Sequence, residues 1–367
     1  MQDKASRHPA PELLRLLERR ARNRATLLCV LGVALIMAFL LAVGQGAVAI
    51  SPSQVIAIIG AQIGVGLPWP FEELQEMVLL SIRLPRAVLG MAVGAALAVS
   101  GAALQGLFRN PLADPGLIGV STGAALAASA MIVFGNLISF LVPPIILAYA
   151  LPLAAFIGGL STAMFVYRLS SHEGRAEVAT LLLAGIAINA IAGTGIGLLI
   201  FLSTDQQIRD LNFWMLGSLG GVTWDRLAIV LPFILVPTAL IPLFARNLNA
   251  LVMGEREALH LGFEVERTKR RIIVLAALAV GASVALTGVI GFVGLVVPHI
   301  IRLIAGADHR TLLPATIMLG ATLLLISDLL ARHIVLPAEL PIGILTSCIG
   351  GPFFLWLLVR RRGRNFY

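Results

Sequence analysis

The chain is poor in the groups on which most enzymes rely. Only 13% of its 367 residues are charged, about half the share of an ordinary soluble domain. It has two lysines, Lys4 and Lys269, and neither follows a glycine-rich turn, which excludes a phosphate-binding loop of the P-loop kind. The six histidines (8, 172, 260, 299, 309 and 333) are scattered without metal-ligand spacing. Asp328 is the one acid well inside an apolar run. No catalytic residues, no metal site and no cofactor of its own are therefore expected. The two cysteines, Cys29 and Cys348, lie in separate apolar runs and read as small core residues.

What is abundant is apolar. The chain is 58% hydrophobic, with a mean hydropathy of +0.95, the composition of an integral membrane protein. The stretch Arg83 to Gly123 sets the pattern. Two arginines open it, and about 20 uncharged residues follow, enough to span a bilayer at 1.5 Å per residue. Gly94, Ala98 and Gly101 put small residues on one face, as close helix packing in a membrane requires. A polar turn, Arg109 to Gly116, breaks the helix with Pro111 and Pro115 before a new apolar run begins.

Read this way, the sequence predicts an all-α polytopic protein with ten transmembrane helices. They lie near 27–49, 84–106, 117–135, 141–167, 178–202, 226–245, 272–290, 291–305, 311–330 and 342–359. Residues 1–26 form a basic arm, 360–367 a basic tail, and 27–359 a single transmembrane domain. Residues 50–82 read as an external segment on the membrane surface, and 203–225 as a polar stretch whose Trp214 and Trp224 suit an interface belt. On this map 22 of the 27 basic residues fall on the side of the two termini. That asymmetry predicts cytoplasmic termini and explains the net charge of +8 without nucleic acid.

The sequence also repeats. A shift of 187 residues sets Gly94 on Gly281, Ala98 on Ala285, Ser100 on Thr287, Gly101 on Gly288 and Pro111 on Pro298. A shift of 158 sets Gly185 and Gly193 on Gly343 and Gly351. The paired helices run in opposite directions, which predicts an inverted repeat relating helices 2–5 to 7–10, an arrangement common in transporters. Chance similarity of Ala/Gly/Val-rich helices is the competing explanation.

Three features stand apart from the apolar runs. Glu255 to Leu261 is a short amphipathic segment with Ala258, Leu259 and Leu261 as its apolar residues, stopped by Gly262. It is either an interfacial helix or a docking helix for a soluble partner. The mixed charge around it, four acids and six bases in 246–271, favours a protein partner. Arg83, Arg86 and Arg332 stand at external helix ends, as anchors or as a ring for carboxylates of a delivery protein. His299 follows Pro298 at a break in the apolar run and reads as a packing histidine.

Several stretches carry a family resemblance: RLPRAVLGMAVGAALAVSGAALQGLFRNPLADPGLIGVSTGA, LLLAGIAINA, FWMLGSLGGVTW, EALHLGF, VALTGVIGFVGLVVPHIIRLIAGADHRTLLP and SDLLARHIVLPAELPIGILTSCIGGPFFLWLL. In this order they resemble the permease subunit of ABC importers for iron-siderophores, hemin and cobalamin, the FecCD family, from about residue 80 to 360. The resemblance implies a homodimer in the bacterial inner membrane with the path at the dimer interface. Two cytoplasmic ATPase subunits would bind ATP and Mg, and a periplasmic binding protein would deliver the ligand. It places the ATPase-docking helix on Gly254, Glu255, Arg256, Ala258, Leu259, Leu261 and Gly262. It places the path on helix 5, with Ala184, Gly185, Asn189 and Gly193, and the gates on Asn110, Pro111 and Leu112 and on Glu177, Val178, Ala179 and Thr180. Arg83, Arg86 and Arg332 fall on the positions that meet the binding protein. The C-terminal PFFLWLLVRRR is similar to hemin permeases, a feature shared with siderophore permeases.

Overall fold

Apolar runs of 20 residues with small-residue faces can satisfy their backbone in a membrane only as helices packed on one another, and that is what forms. The structure is a computed structural model, and it describes residues 10–138, 143–172, 175–335 and 338–362. In chain order its helices are α1 (Ala10–Gly44), α2 (Pro52–Gln62), α3 (Glu73–Val78), α4 (Leu84–Leu107), α5 (Val120–Ile138), α6 (Pro144–Leu169), α7 (Val178–Phe201) and α8 (Asp205–Leu216). There follow α9 (Trp224–Leu240), α10 (Ala245–Met253), α11 (Glu255–His260), α12 (Val265–Thr287), α13 (Val293–Ala305), α14 (His309–His333) and α15 (Ile342–Arg362). A two-residue antiparallel ribbon, Ser171 with Ala176 and His172 with Arg175, turns the chain between α6 and α7. Among the described residues, seven helical stretches are long and apolar enough to cross a membrane. The shorter apolar helices α5, α13 and α15 bring the passes to the ten predicted.

Several boundaries differ from the expectation, each for a local reason. The structure draws no break at residue 26: the described part of the basic arm continues into the first membrane helix as one 35-residue α1. Residues 1–9 and 363–367, at the two ends, lie outside the described residues. The external segment 50–82 is largely helical. Ser51 and Gln54 form a capping box that starts α2, and α3 runs through a π-helical turn, Leu79–Arg83, straight into α4. The polar stretch 203–225 holds α8, started by a second capping box, Thr204 with Gln207. Trp214 on α8 packs against the core and is not a free interface residue. Trp224 is exposed, and its indole N–H donates to the Leu80 carbonyl at 2.7 Å. The charged loop 246–271 is mostly helix, divided between α10, α11 and the start of α12. Cys29 and Cys348 are exposed on α1 and α15 and are not core residues.

The inverted repeat is visible in the packing. α4 of the first half lies along α14 of the second, and α12 of the second half lies along α6 of the first. At the first of these contacts Gly94 and Gly320 face each other so closely that a Cβ on either would strike the other's backbone. The fainter repeat has a matching geometry: Gly185 sits on the Leu117 carbonyl and Gly343 on the Leu216 carbonyl. The register of the first repeat runs out early. α12 ends at Gly288, whereas α4 continues past Gly101 to Leu107. Pro111 therefore lies in a turn and Pro298 inside α13.

The helices define two ends. One gathers the turn after α4, the helices α10 and α11 and the start of α14, where Asn249 reaches Asp308 at 2.7 Å. The other gathers Arg83, Arg86 and Glu339 with the start of α15, whose Ile342 N–H donates to Gly217.

Candidate translocation face and gates

α7 carries no charge from Val178 to Phe201 and is apolar on every side, so periodicity cannot say which face is buried. The structure can. Leu181, Ala184, Gly185, Ala192, Ile196 and Leu199 are buried against the rest of the chain. Leu183, Ile186, Ala190, Gly193, Gly197 and Phe201 are exposed. Their spacing of three and four residues puts them in one stripe on the opposite side. Of the predicted path residues, only Gly193 lies on this free stripe, and no atom lies within 4 Å of where its Cβ would be. Ala184 and Gly185 face inward.

Asn189 is half-buried and ties α7 to the first predicted gate. Its Nδ2 donates to the Gly116 carbonyl at 3.1 Å, and its Oδ1 accepts from the Thr122 hydroxyl. Beside it, Gly185 lies flat on the Leu117 carbonyl. The turn between α4 and α5 is thus clamped to α7. Within that turn Asn110 Oδ1 accepts from Leu112 N at 3.0 Å, and the Asn110 N–H donates to the Gln105 carbonyl at 3.1 Å. Arg109 takes the left-handed conformation, φ 49°. Pro111 is half-buried and Leu112 is exposed. Asp114 accepts from Gly116 N at 2.7 Å. Burial raises its carboxyl above the ordinary range, against that bond, which acts to lower it. The second predicted gate, Glu177 to Thr180, falls at the start of α7. Glu177 precedes the first turn, and the Thr180 hydroxyl donates to its carboxylate at 2.7 Å; Val178 is half-buried and Ala179 exposed.

The predicted docking helix is α11, but its apolar residues divide. Ala258 is fully buried, whereas Leu259 and Leu261 are each 58% exposed. Glu255 pairs with Lys269 of α12 at 2.8 Å. Gly254 and Gly262 flank the helix, both at positive φ, and Arg256 lies in its first turn. Leu243, Val252 and Met253 are exposed nearby in sequence and extend the apolar surface that the sequence reading confined to α11.

The three arginines are engaged within the chain. Arg83 is 5% exposed and donates to the carbonyls of Val43, Gly44 and Val48. Arg86 donates to Asp328 at 2.8 Å and to Glu339 at 2.9 Å. Arg332 pairs with Asp328 at 3.1 Å and donates to the Ala42 carbonyl at 3.0 Å. Asp328 is the buried centre of this network, which joins α4 and α14 to the loop before α15. A buried acid 242 residues from its arginine has no local sequence signature; its burial in an apolar run was the available clue. His299 stacks edge-on to Phe353 at 5.8 Å.

With this geometry in hand, similarity to known proteins can be placed on it. A model of the FecCD transport family matches residues 34–360. The hemin transport system permease protein of Yersinia pestis is 50% identical over 77% of this chain and 83% of its own length. A cobalamin import system permease of Halobacterium salinarum is 40% identical over 82% and 81% of the two chains. A vitamin B12 import system permease of Escherichia coli is 37% identical over 94% and 98%. Among solved structures, a transporter described as of metal-chelate ABC type, in an inward-facing conformation, superposes with a TM-score of 0.78. It is 31% identical, and the match covers 92% of this chain and 99% of that one. The chain belongs to the FecCD transport family.

Proposed function

We propose that this chain is the transmembrane permease subunit of an ATP-driven importer that moves hemin from a periplasmic binding protein into the cytoplasm. Two copies line the path, and two cytoplasmic ATPase subunits bind the ATP and Mg. The chain sits in the bacterial inner membrane with both termini cytoplasmic. The observation that carries this reading is the free stripe of α7. It is uncharged, notched by Gly193 and Gly197, and exposed among the described residues. Such a surface fits a partner copy on one flank and a large apolar chelate on the other. Leu259 and Leu261 on α11 offer the apolar contacts that an ATPase would cover.

The arginine proposal narrows. A binding-protein carboxylate can reach Arg86 only by competing with Glu339, whose side chain is half exposed. Arg83 and Arg332 are held by carbonyls and act on the binding protein only through the shape of that end.

Cobalamin is the second reading, because the B12 permeases match a longer share of the chain, 94% against 77%. Reconstitution in proteoliposomes with the ATPase and binding protein decides. ATP-dependent accumulation of hemin over cobalamin and ferric siderophore is expected. Cobalamin or siderophore uptake without hemin uptake would replace the cargo, and uptake driven by an ion gradient alone would make the chain a secondary transporter.

A further inference from the structure

We propose that Asn249 and His309 are positioning residues that carry movement of α11 to the gate turn at Asn110–Leu112. The proposal rests on the importer reading above and adds to it the route by which one end of the chain drives the turn.

α11 is held on two sides, by the buried Ala258 and by the Glu255–Lys269 pair. Gly254 alone joins it to α10. Its φ of 136° suits glycine, and a Cβ there would strike the Glu257 carboxylate. The joint therefore contains no loop to absorb a displacement, and motion of α11 passes to α10.

α10 packs on α4 and α14, and Asn249 is its link to the start of α14. Asn249 Nδ2 donates to Asp308 Oδ1 at 2.7 Å. Its Oδ1 accepts from the His309 main-chain N–H at 2.9 Å and lies 2.8 Å from His309 Nδ1. Chemistry fixes this orientation. A main-chain N–H only donates, so the atom facing it is the amide oxygen, and that oxygen in turn requires the proton on Nδ1. Burial acts to raise the Asp308 carboxyl, but the bonds from Asn249 and the Arg310 N–H, together with the charges of Arg310 and Arg24, outweigh it and hold the group below its ordinary range. Asp308 thus stays an acceptor, and one side chain locks α10 to α14 through both ends of its amide.

The His309 ring then rests on the last turn of α4. It is buried, and a Cβ on Gly106 would overlap its Nε2. The carbonyls of this same turn hold the gate. Gly106 accepts from Arg109 N at 3.3 Å and Gln105 from Asn110 N at 3.1 Å. Contacts therefore run without a gap from α11 through Asn249, His309 and Gly106 to Asn110. The turn they reach is built on a left-handed Arg109, a conformation that costs a non-glycine residue energy and is held only by its surroundings.

The test uses the full complex in lipid vesicles, with ATPase and binding protein, and with hemin as cargo, or cobalamin if the uptake assay selects it. Cys29→Ser and Cys348→Ser remove the native thiols, and Leu112→Cys gives a labelling site on the exposed gate residue. In this parent, ATP changes the labelling rate at position 112. Asn249→Leu keeps the volume and deletes the bonds. Its ATPase subunits still co-purify and hydrolyse ATP, but cargo moved per ATP falls about tenfold, and the ATP-dependent labelling change is lost. If Asn249→Leu does not assemble, His309→Phe, which keeps a ring and the main-chain N–H bond but deletes the Nδ1 bond to Asn249, is read the same way with a smaller loss. An unchanged cargo-to-ATP ratio with an unchanged labelling response overturns the link. A parent whose labelling ignores ATP overturns the gate assignment itself, and the link falls with it.

Discussion

α4 and α7 have the same mean hydropathy, 2.0 over their most apolar windows, and opposite fates. The window of the helix that contains α4 is 89% buried, whereas that of α7 is 28% buried. Their glycines explain the contrast. In α4, Gly94 meets the Gly320 backbone and Gly101 meets the Gly294 carbonyl, so the missing side chains let helices touch. In α7, Gly193 and Gly197 meet nothing within 4 Å. α4 uses these glycines to close contacts; α7 closes one with Gly185, on the Leu117 carbonyl, and leaves Gly193 and Gly197 open on its exposed stripe. Composition reports that a helix belongs in the membrane; only packing reports whether its small residues serve this chain or something outside it.

The contrast can be tested from its strongest consequence downward. Gly101→Leu drives a side chain into the Gly294 carbonyl and should cost more than about 4 kcal/mol, with no folded protein recovered in detergent. A monodisperse, thermally stable variant would show that the α4–α13 contact is loose. Asp328→Ala leaves Arg86 and Arg332 without their buried partner and should cost about 3–5 kcal/mol. Glu339→Ala removes only a half-exposed partner and should cost at most about 1 kcal/mol. Thermal unfolding of both variants checks the order, and equal losses would place the strength of the network at its exposed edge. Gly193→Leu should change stability by less than about 0.5 kcal/mol, yet stop uptake in vesicles; a drop in stability matching that of Gly101→Leu would erase the distinction between the two helices.

Much of the fold was legible because membrane burial writes itself as length. Ten apolar runs gave ten passes, and the opposed Gly-rich stretches gave the inverted repeat. The short helices were missed where polarity outweighed pattern. α2 and α8 each begin with a capping box, Ser51–Gln54 and Thr204–Gln207, and that signal was available. The site was less legible. The resemblance led to α7, but a helix apolar on all sides hides its free face, so the inward placement of Ala184 and Gly185 and the exposure of Ile186, Ala190 and Gly197 could not be read from it. The engagement of Arg83 and Arg86 went unread because their partners, carbonyls at the end of α1 and the distant Asp328, leave no trace in the neighbouring sequence, whereas Arg332 lies one turn from Asp328.

The exposed stripe of α7 separates two kinds of constraint that most binding sites must reconcile. A residue there can be enlarged or trimmed with little penalty to the protomer, since the stripe is exposed among the described residues. If that stripe borders the passage, the positions that choose the cargo are also the ones most free to drift. Permeases of this architecture could then exchange one chelate for another through a handful of changes on a single helix, leaving the scaffold around it intact.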